Sequence, residues 1–163
     1  MRHPLDTDKT FSYFGLILGS LPPAAIFIRF LTDSPDFRME NLWVLGIIFI
    51  INTITATVGY FSGKLVGKMV REAETYSWWL MILLLPFIGM FWGVMAGGAG
   101  GVIVFLFGAM FGALFGALVG GAALPIFAVF HRLLKKGESI ELKHFMPLAF
   151  GVALTICAFI LGV

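Results

Sequence analysis

The chain has 163 residues, 60% of them hydrophobic and 12% charged, with a net charge of +2 and a mean hydropathy of +0.99. Soluble domains carry roughly 25% charged residues, so this composition excludes a soluble fold, and the small positive balance is no nucleic-acid signal. The composition is that of an all-α integral membrane protein.

Five apolar segments follow one another: Phe11 to Leu31, Leu42 to Gly63, Trp78 to Gly97, Val102 to Phe130, and Phe145 to Val163. Each reaches or approaches the ~20 residues that a helix needs to cross ~30 Å of hydrocarbon. Five crossings are therefore expected, forming one polytopic domain over residues 1–163. Met1 to Thr10 is polar and does not read as a secretory signal, so the first segment is expected to stay as an anchor. It contains Gly15, Gly19 and then Pro22-Pro23. Proline removes backbone bonds, which predicts a kink there or a shorter helix followed by a re-entrant piece. Arg29 lies near the outer end, where a long cation snorkels to the interface. Thr32 to Asn41 has the composition of an external loop.

The second segment carries the most polar patch at membrane depth: Asn52, Thr53, Thr55 and Thr57. Helical spacing puts Asn52 and Thr55 on one face and Thr53 and Thr57 on the next. Two uses fit these side chains, interhelical hydrogen bonding and the lining of a polar path. Gly59, Gly63 and Gly67 follow at four-residue spacing, with Lys64, Lys68 and Arg71 placed to meet lipid headgroups as the helix leaves the hydrocarbon.

Trp78 to Phe130 is unbroken by charge, and at 1.5 Å per residue it would run roughly 80 Å as one helix. A turn is required, and the cluster Gly97, Gly98, Gly100 and Gly101 is its expected place. Either side of it run two four-glycine series, Gly89, Gly93, Gly97 and Gly101, then Gly108, Gly112, Gly116 and Gly120. Such glycines cost a water-exposed helix about 0.8–1 kcal/mol each relative to alanine. Between lipid-embedded helices they let backbones approach and gain dispersion contact. The pattern resembles the glycine zippers found in unrelated membrane proteins. It implies close helix packing and no particular activity.

His131 to His144 forms the longest loop on the N-terminal side, with Arg132, Lys135 and Lys136 expected at headgroups and both histidines at the interface. The stretch from Arg132 through Gly151 resembles the end of prepilin peptidases, but the paired aspartates used by those enzymes are missing, so no activity is carried over. All nine acidic residues fall outside the spans, whereas proton relays and ion-coupled transporters place ionisable groups at depth. The single cysteine, Cys157, allows no intramolecular disulfide. No catalytic residue, metal site or cofactor is expected.

Nine basic residues lie on the side of the N-terminus and two, Arg29 and Arg38, on the other. The positive-inside rule then predicts a cytoplasmic N-terminus and an outer C-terminus, with a bacterial inner membrane as the default location. The function expected from the sequence is a small, non-catalytic multi-pass accessory subunit. It would pack through its glycine stripes with lipids and with other subunits of a larger complex or with itself. The alternative is a homo-oligomeric channel or small-solute transporter whose path passes Asn52, Thr53, Thr55 and Thr57.

Overall fold

The computed structural model describes residues 4–33, 42–137 and 139–163. Most of the external loop expected at 32–41, Arg38 included, lies outside them, as do Arg2, His3 and Glu138. The described chain is almost wholly helical. It runs β1 (Pro4–Asp6), α1 (Thr7–Asp33), α2 (Leu42–Ala73), α3 (Trp78–Gly101), a 3₁₀ turn (Val102–Val104), α4 (Phe105–Leu134), β2 (Ser139–Glu141) and α5 (Leu142–Leu161). Four helical stretches are long and apolar enough to cross a membrane: Thr7–Asp33, Trp43–Ala73, Trp78–Leu134 and Leu142–Leu161. The chain is thus all-α, with the helices of a multi-pass membrane protein.

The Trp78–Leu134 stretch, 57 residues long, is not one rod. It breaks at the 3₁₀ turn, where Phe105 takes φ +58° and ψ −162°, and α4 folds back along α3. The glycines expected to make this turn do not make it, since Gly97, Gly98, Gly100 and Gly101 all belong to α3. They serve the packing instead. A Cβ built on Gly101 would fall on the Gly108 carbonyl, on Gly97 that of Gly112, on Gly93 that of Gly116, and on Gly89 that of Gly120. Each pair is symmetric about the Val104–Phe105 bond, so glycine-on-glycine registry along two antiparallel helices requires the reversal to fall there. A phenylalanine at positive φ is strained by about 1–3 kcal/mol. Phe105→Gly is accordingly expected to raise the thermal unfolding temperature in detergent, because Phe105 is 85% exposed and loses little packing.

A second hairpin is built the same way. Gly15 of α1 meets the Gly59 carbonyl, Gly19 meets Thr55 and Ala56, and Gly63 meets Phe11 and Ser12. Gly67 is looser, 3.2 Å from the Asp8 Cα. α1 stays helical through Pro22-Pro23, so it contains no re-entrant piece. Packing against α2 holds the segment where prolines have removed backbone bonds.

The hairpins meet at several levels. Thr55, 5% exposed, stands between Gly19 of α1 and Gly100 of α3. Near the N-terminal end, the Phe14 ring stacks on Phe127 of α4 with centroids 3.7 Å apart, and Phe11 meets the same ring edge-on at 5.3 Å. α5 closes against α1 and α4 through Phe145, whose ring is 6.1 Å from Phe127. At the opposite end Arg29 Nη1 donates 2.6 Å to the Ile160 carbonyl, a cation on the C-terminal carbonyls of α5 as the helix dipole favours.

β1 and β2 pair antiparallel, Leu5 opposite Ile140, and tie the N-terminus to the α4–α5 connection. Ile140 is fully buried. Nothing in the sequence announces this two-stranded sheet.

Candidate functional site

A concavity of about 550 Å³ lies between the two hairpins, from mid-depth to the end opposite the N-terminus. Its walls are Leu18, Pro22, Ile26 and Phe30 of α1, Val44, Ile47, Ile48 and Ile51 of α2, and Phe111, Phe115 and Val119 of α4. The glycine rows Gly93, Gly97, Gly101 and Gly108, Gly112, Gly116, Gly120 run along it as bare backbone, and Trp43 stands at its outer end. The hairpins splay here because their aromatic junction is at the other end. Among the described residues no charged side chain lines the groove.

The polar patch of α2 divides around this groove. Thr55 faces in, but its hydroxyl is donated to the Ile51 carbonyl at 2.9 Å. Thr53 and Thr57 are exposed on the outer surface and donate to Phe49 and Thr53 carbonyls at 2.8 and 2.7 Å. Asn52 is half-buried, and its Oδ1 is enclosed without a hydrogen-bond partner among the described residues. The four residues therefore do not converge within one copy of the chain. Deeper toward the N-terminal end, Trp92 Nε1 donates 2.8 Å to Ser62 Oγ, which links α3 to α2.

The expected headgroup cations also divide. Lys64, Lys68 and Lys136 are exposed. Arg71 is committed to Asp8 of α1 at 2.5 Å. Arg132 lies 4.2 Å over the Trp78 ring, and its Nη1 approaches Met81 Sδ at 2.9 Å. Lys135 is not a headgroup residue: it is mostly buried and paired with Glu74 Oε2. A lysine this shielded is held by an anion, and Glu74, only 7% exposed in its side chain, supplies it.

His131 departs furthest from expectation. It extends α4 one residue beyond the apolar segment ending at Phe130, at the level of the Glu74–Lys135 pair, and is fully buried rather than interfacial. Its ring packs against Phe11 at 5.3 Å and Phe127 at 6.2 Å. Neither ring nitrogen has a hydrogen-bond partner among the described residues, nor does Glu74 Oε1, which sits 3.9 Å from His131 Nδ1. That separation is beyond hydrogen-bond reach. Among the described residues no cluster of three or more His, Cys, Asp or Glu is placed to hold a metal.

A searchable signal for His131 was present. The buried line Gly120, Ala123, Leu124, Phe127, Ala128 continues at helical spacing to position 131. No family model, curated protein or solved structure matches the chain.

Proposed function

We propose that this chain is a non-catalytic, five-pass accessory subunit of a larger inner-membrane complex, N-terminus cytoplasmic and C-terminus outside, that receives a partner's apolar helix in its groove. The observation that carries the reading is the groove itself. It opens at membrane depth, is walled by aliphatic and phenyl side chains, and carries no charged side chain among the described residues, which suits an apolar helix. The reading of five crossings is supported by α3 and α4, which at 24 and 30 residues reach about 36 and 45 Å, each enough for one bilayer. The zipper-like glycine stripes are spent within the two hairpins. A partner is thus expected at the groove rather than at a free stripe.

A second reading rests on Asn52, whose enclosed Oδ1 lacks a partner. Exposed Thr53 and Thr57 line a path only between copies, which is the homo-oligomeric channel or small-solute transporter. One experiment separates the two. A photo-crosslinking residue replacing Ile48 or Phe115 is activated in native membranes, and the same protein is reconstituted for liposome flux. A discrete protein adduct without flux supports the subunit. Adducts only to lipid, together with conduction that Asn52→Val abolishes, would reverse the order.

A further inference from the structure

The groove belongs to the proposed function, and the exposed aliphatic surface is the lipid-facing surface of such a protein. What neither uses is the buried trio Glu74, His131 and Lys135, which joins the α2–α3 turn to the end of α4. Its geometry is unfinished. One carboxylate oxygen holds Lys135, while the other and the imidazole Nδ1 face each other 3.9 Å apart, both without hydrogen-bond partners among the described residues. Buried polar atoms are rarely left so, and each exception asks for an explanation.

Of the other charged groups on these elements, Glu72 and Lys136 are exposed and the following are paired. Asp8 of α1 is paired with Arg71 of α2, Arg132 of α4 stacks on Trp78 of α3, and Glu141 of β2 is paired with Lys143 of α5 at 2.8 Å. Asp6 of β1 binds the Lys9 backbone N–H at 2.8 Å and its ammonium at 3.8 Å. Phe11, Phe127 and Phe145 supply no titratable group. A proton arriving at this cluster therefore has Glu74 and Lys135 as the charges that answer it.

We propose that Glu74 is a two-position latch: with His131 neutral it grips Lys135 and holds the α4–α5 connection, and with His131 protonated it takes the imidazolium and releases Lys135. The exchange has a physical order. His131 is fully buried and Lys135 keeps 17% of its side chain exposed, so only the lysine has a way out to water. A protonated imidazole gains a charge-assisted bond by closing on Oε1, and it repels the Lys135 ammonium that stood beside it. Lys135 is followed at once by Lys136, whose backbone pairs with Ser139, and then by β2. Release of Lys135 hence loosens the hairpin that β1 completes. The buried imidazole and the carboxylate oxygen facing it have no hydrogen-bond partner among the described residues, so the latch is shut while the ring is neutral and opens on acidification.

The test uses the full chain in lipid nanodiscs, with a spin label on Lys136→Cys in a Cys157→Ala background and ¹⁵N-histidine spectra on the same preparation. On acidification from about pH 7 to about pH 4, the His131 resonance is expected to titrate and the label to gain mobility over the same interval. His131→Phe, which keeps a ring among Phe11 and Phe127, is expected to hold the label at its neutral-pH mobility throughout. Lys135→Gln is expected to give the mobile spectrum at every pH and to raise the pH at which His131 titrates. An equal acid response in His131→Phe, a His131 titration with no change at the label, or a His131 that stays neutral through the interval would each overturn the latch.

Discussion

Alanine at both Gly93 and Gly97 is expected to unpack the α3–α4 hairpin, whereas alanine at Gly98, one residue further on, leaves it intact. The contrast follows from direction alone. Cβ atoms at Gly93 and Gly97 would lie on the Gly116 and Gly112 carbonyls, which are backbone and cannot turn aside. Gly98 would place its Cβ 3.6 Å from the Ala113 Cβ and 3.8 Å from the Ala109 carbonyl, ordinary van der Waals contact. In lipid no hydrophobic term compensates for helices pushed apart. Ordinary overpacking costs about 1–3 kcal/mol per site, so two backbone collisions are expected to remove several kcal/mol or to prevent folding. Gly98→Ala has only a helix-propensity gain to show, below about 1 kcal/mol. Gly46 and Gly151, with nothing within 4 Å of a Cβ, serve as further silent controls. Denaturation by sodium dodecyl sulfate or heat, followed by tryptophan fluorescence, reads the difference. Equal losses at Gly97 and Gly98 would mean that the glycine rows do not face each other as described.

The same glycines show what the sequence discloses and what it hides. Their four-residue spacing and the membrane composition are local properties, and both are legible in one dimension. Which row meets which is a property of two helices. Read as punctuation, Gly97 to Gly101 marks a turn, because in soluble proteins a glycine cluster is most often a loop. In a bilayer helix the penalty for glycine is offset by backbone contact, and the cluster is packing surface. The position of the turn was encoded all the same, in the mirror symmetry of the two series about Val104 and Phe105.

At the N-terminal face the difficulty is of another kind. Arg132 and Lys135 mark where hydrocarbon ends, and reading them also as the end of buried structure puts His131 at the interface. The helix continues to Leu134, and Phe11, Phe127 and Glu74 enclose His131 while Leu133 and Leu134 of the same turn stay exposed. Glu74 is concealed for the same reason: it follows α2 in an Arg-Glu-Ala-Glu run that reads as solvated, while its partners His131 and Lys135 lie at the far end of α4. The groove had no local signature either. It lies where α1 and α4, stacked at Phe14 and Phe127, no longer touch while α2 and α3 remain in contact at Thr55 and Gly100.

Phe127→Ala is therefore expected to be the most damaging single truncation in the chain, at about 3–5 kcal/mol. The ring is fully buried and is shared by three helices. It stacks on Phe14 of α1 with planes 6° apart, and meets Phe11 of α1 and Phe145 of α5 edge-on. Transfer from lipid to a protein interior gains little, so the loss is one of dispersion contacts and of the void left behind. Phe107 on the same helix is 76% exposed, and Phe107→Ala is expected to change stability by less than about 0.5 kcal/mol. The comparison isolates the junction from any general effect of removing a phenyl ring from α4. It also reaches the groove, because Phe14 stands against Trp92, with centroids 6.2 Å apart, and Trp92 lines the groove. With Phe127 gone, the hairpins lose the contact that fixes their angle, and crosslinking from Ile48 is expected to fall in step with stability. Unchanged stability in Phe127→Ala would place the joint between the hairpins at the α2–α3 contacts, Thr55 with Gly100 and Ser62 with Trp92, and the groove would then owe its shape to α2 and α3.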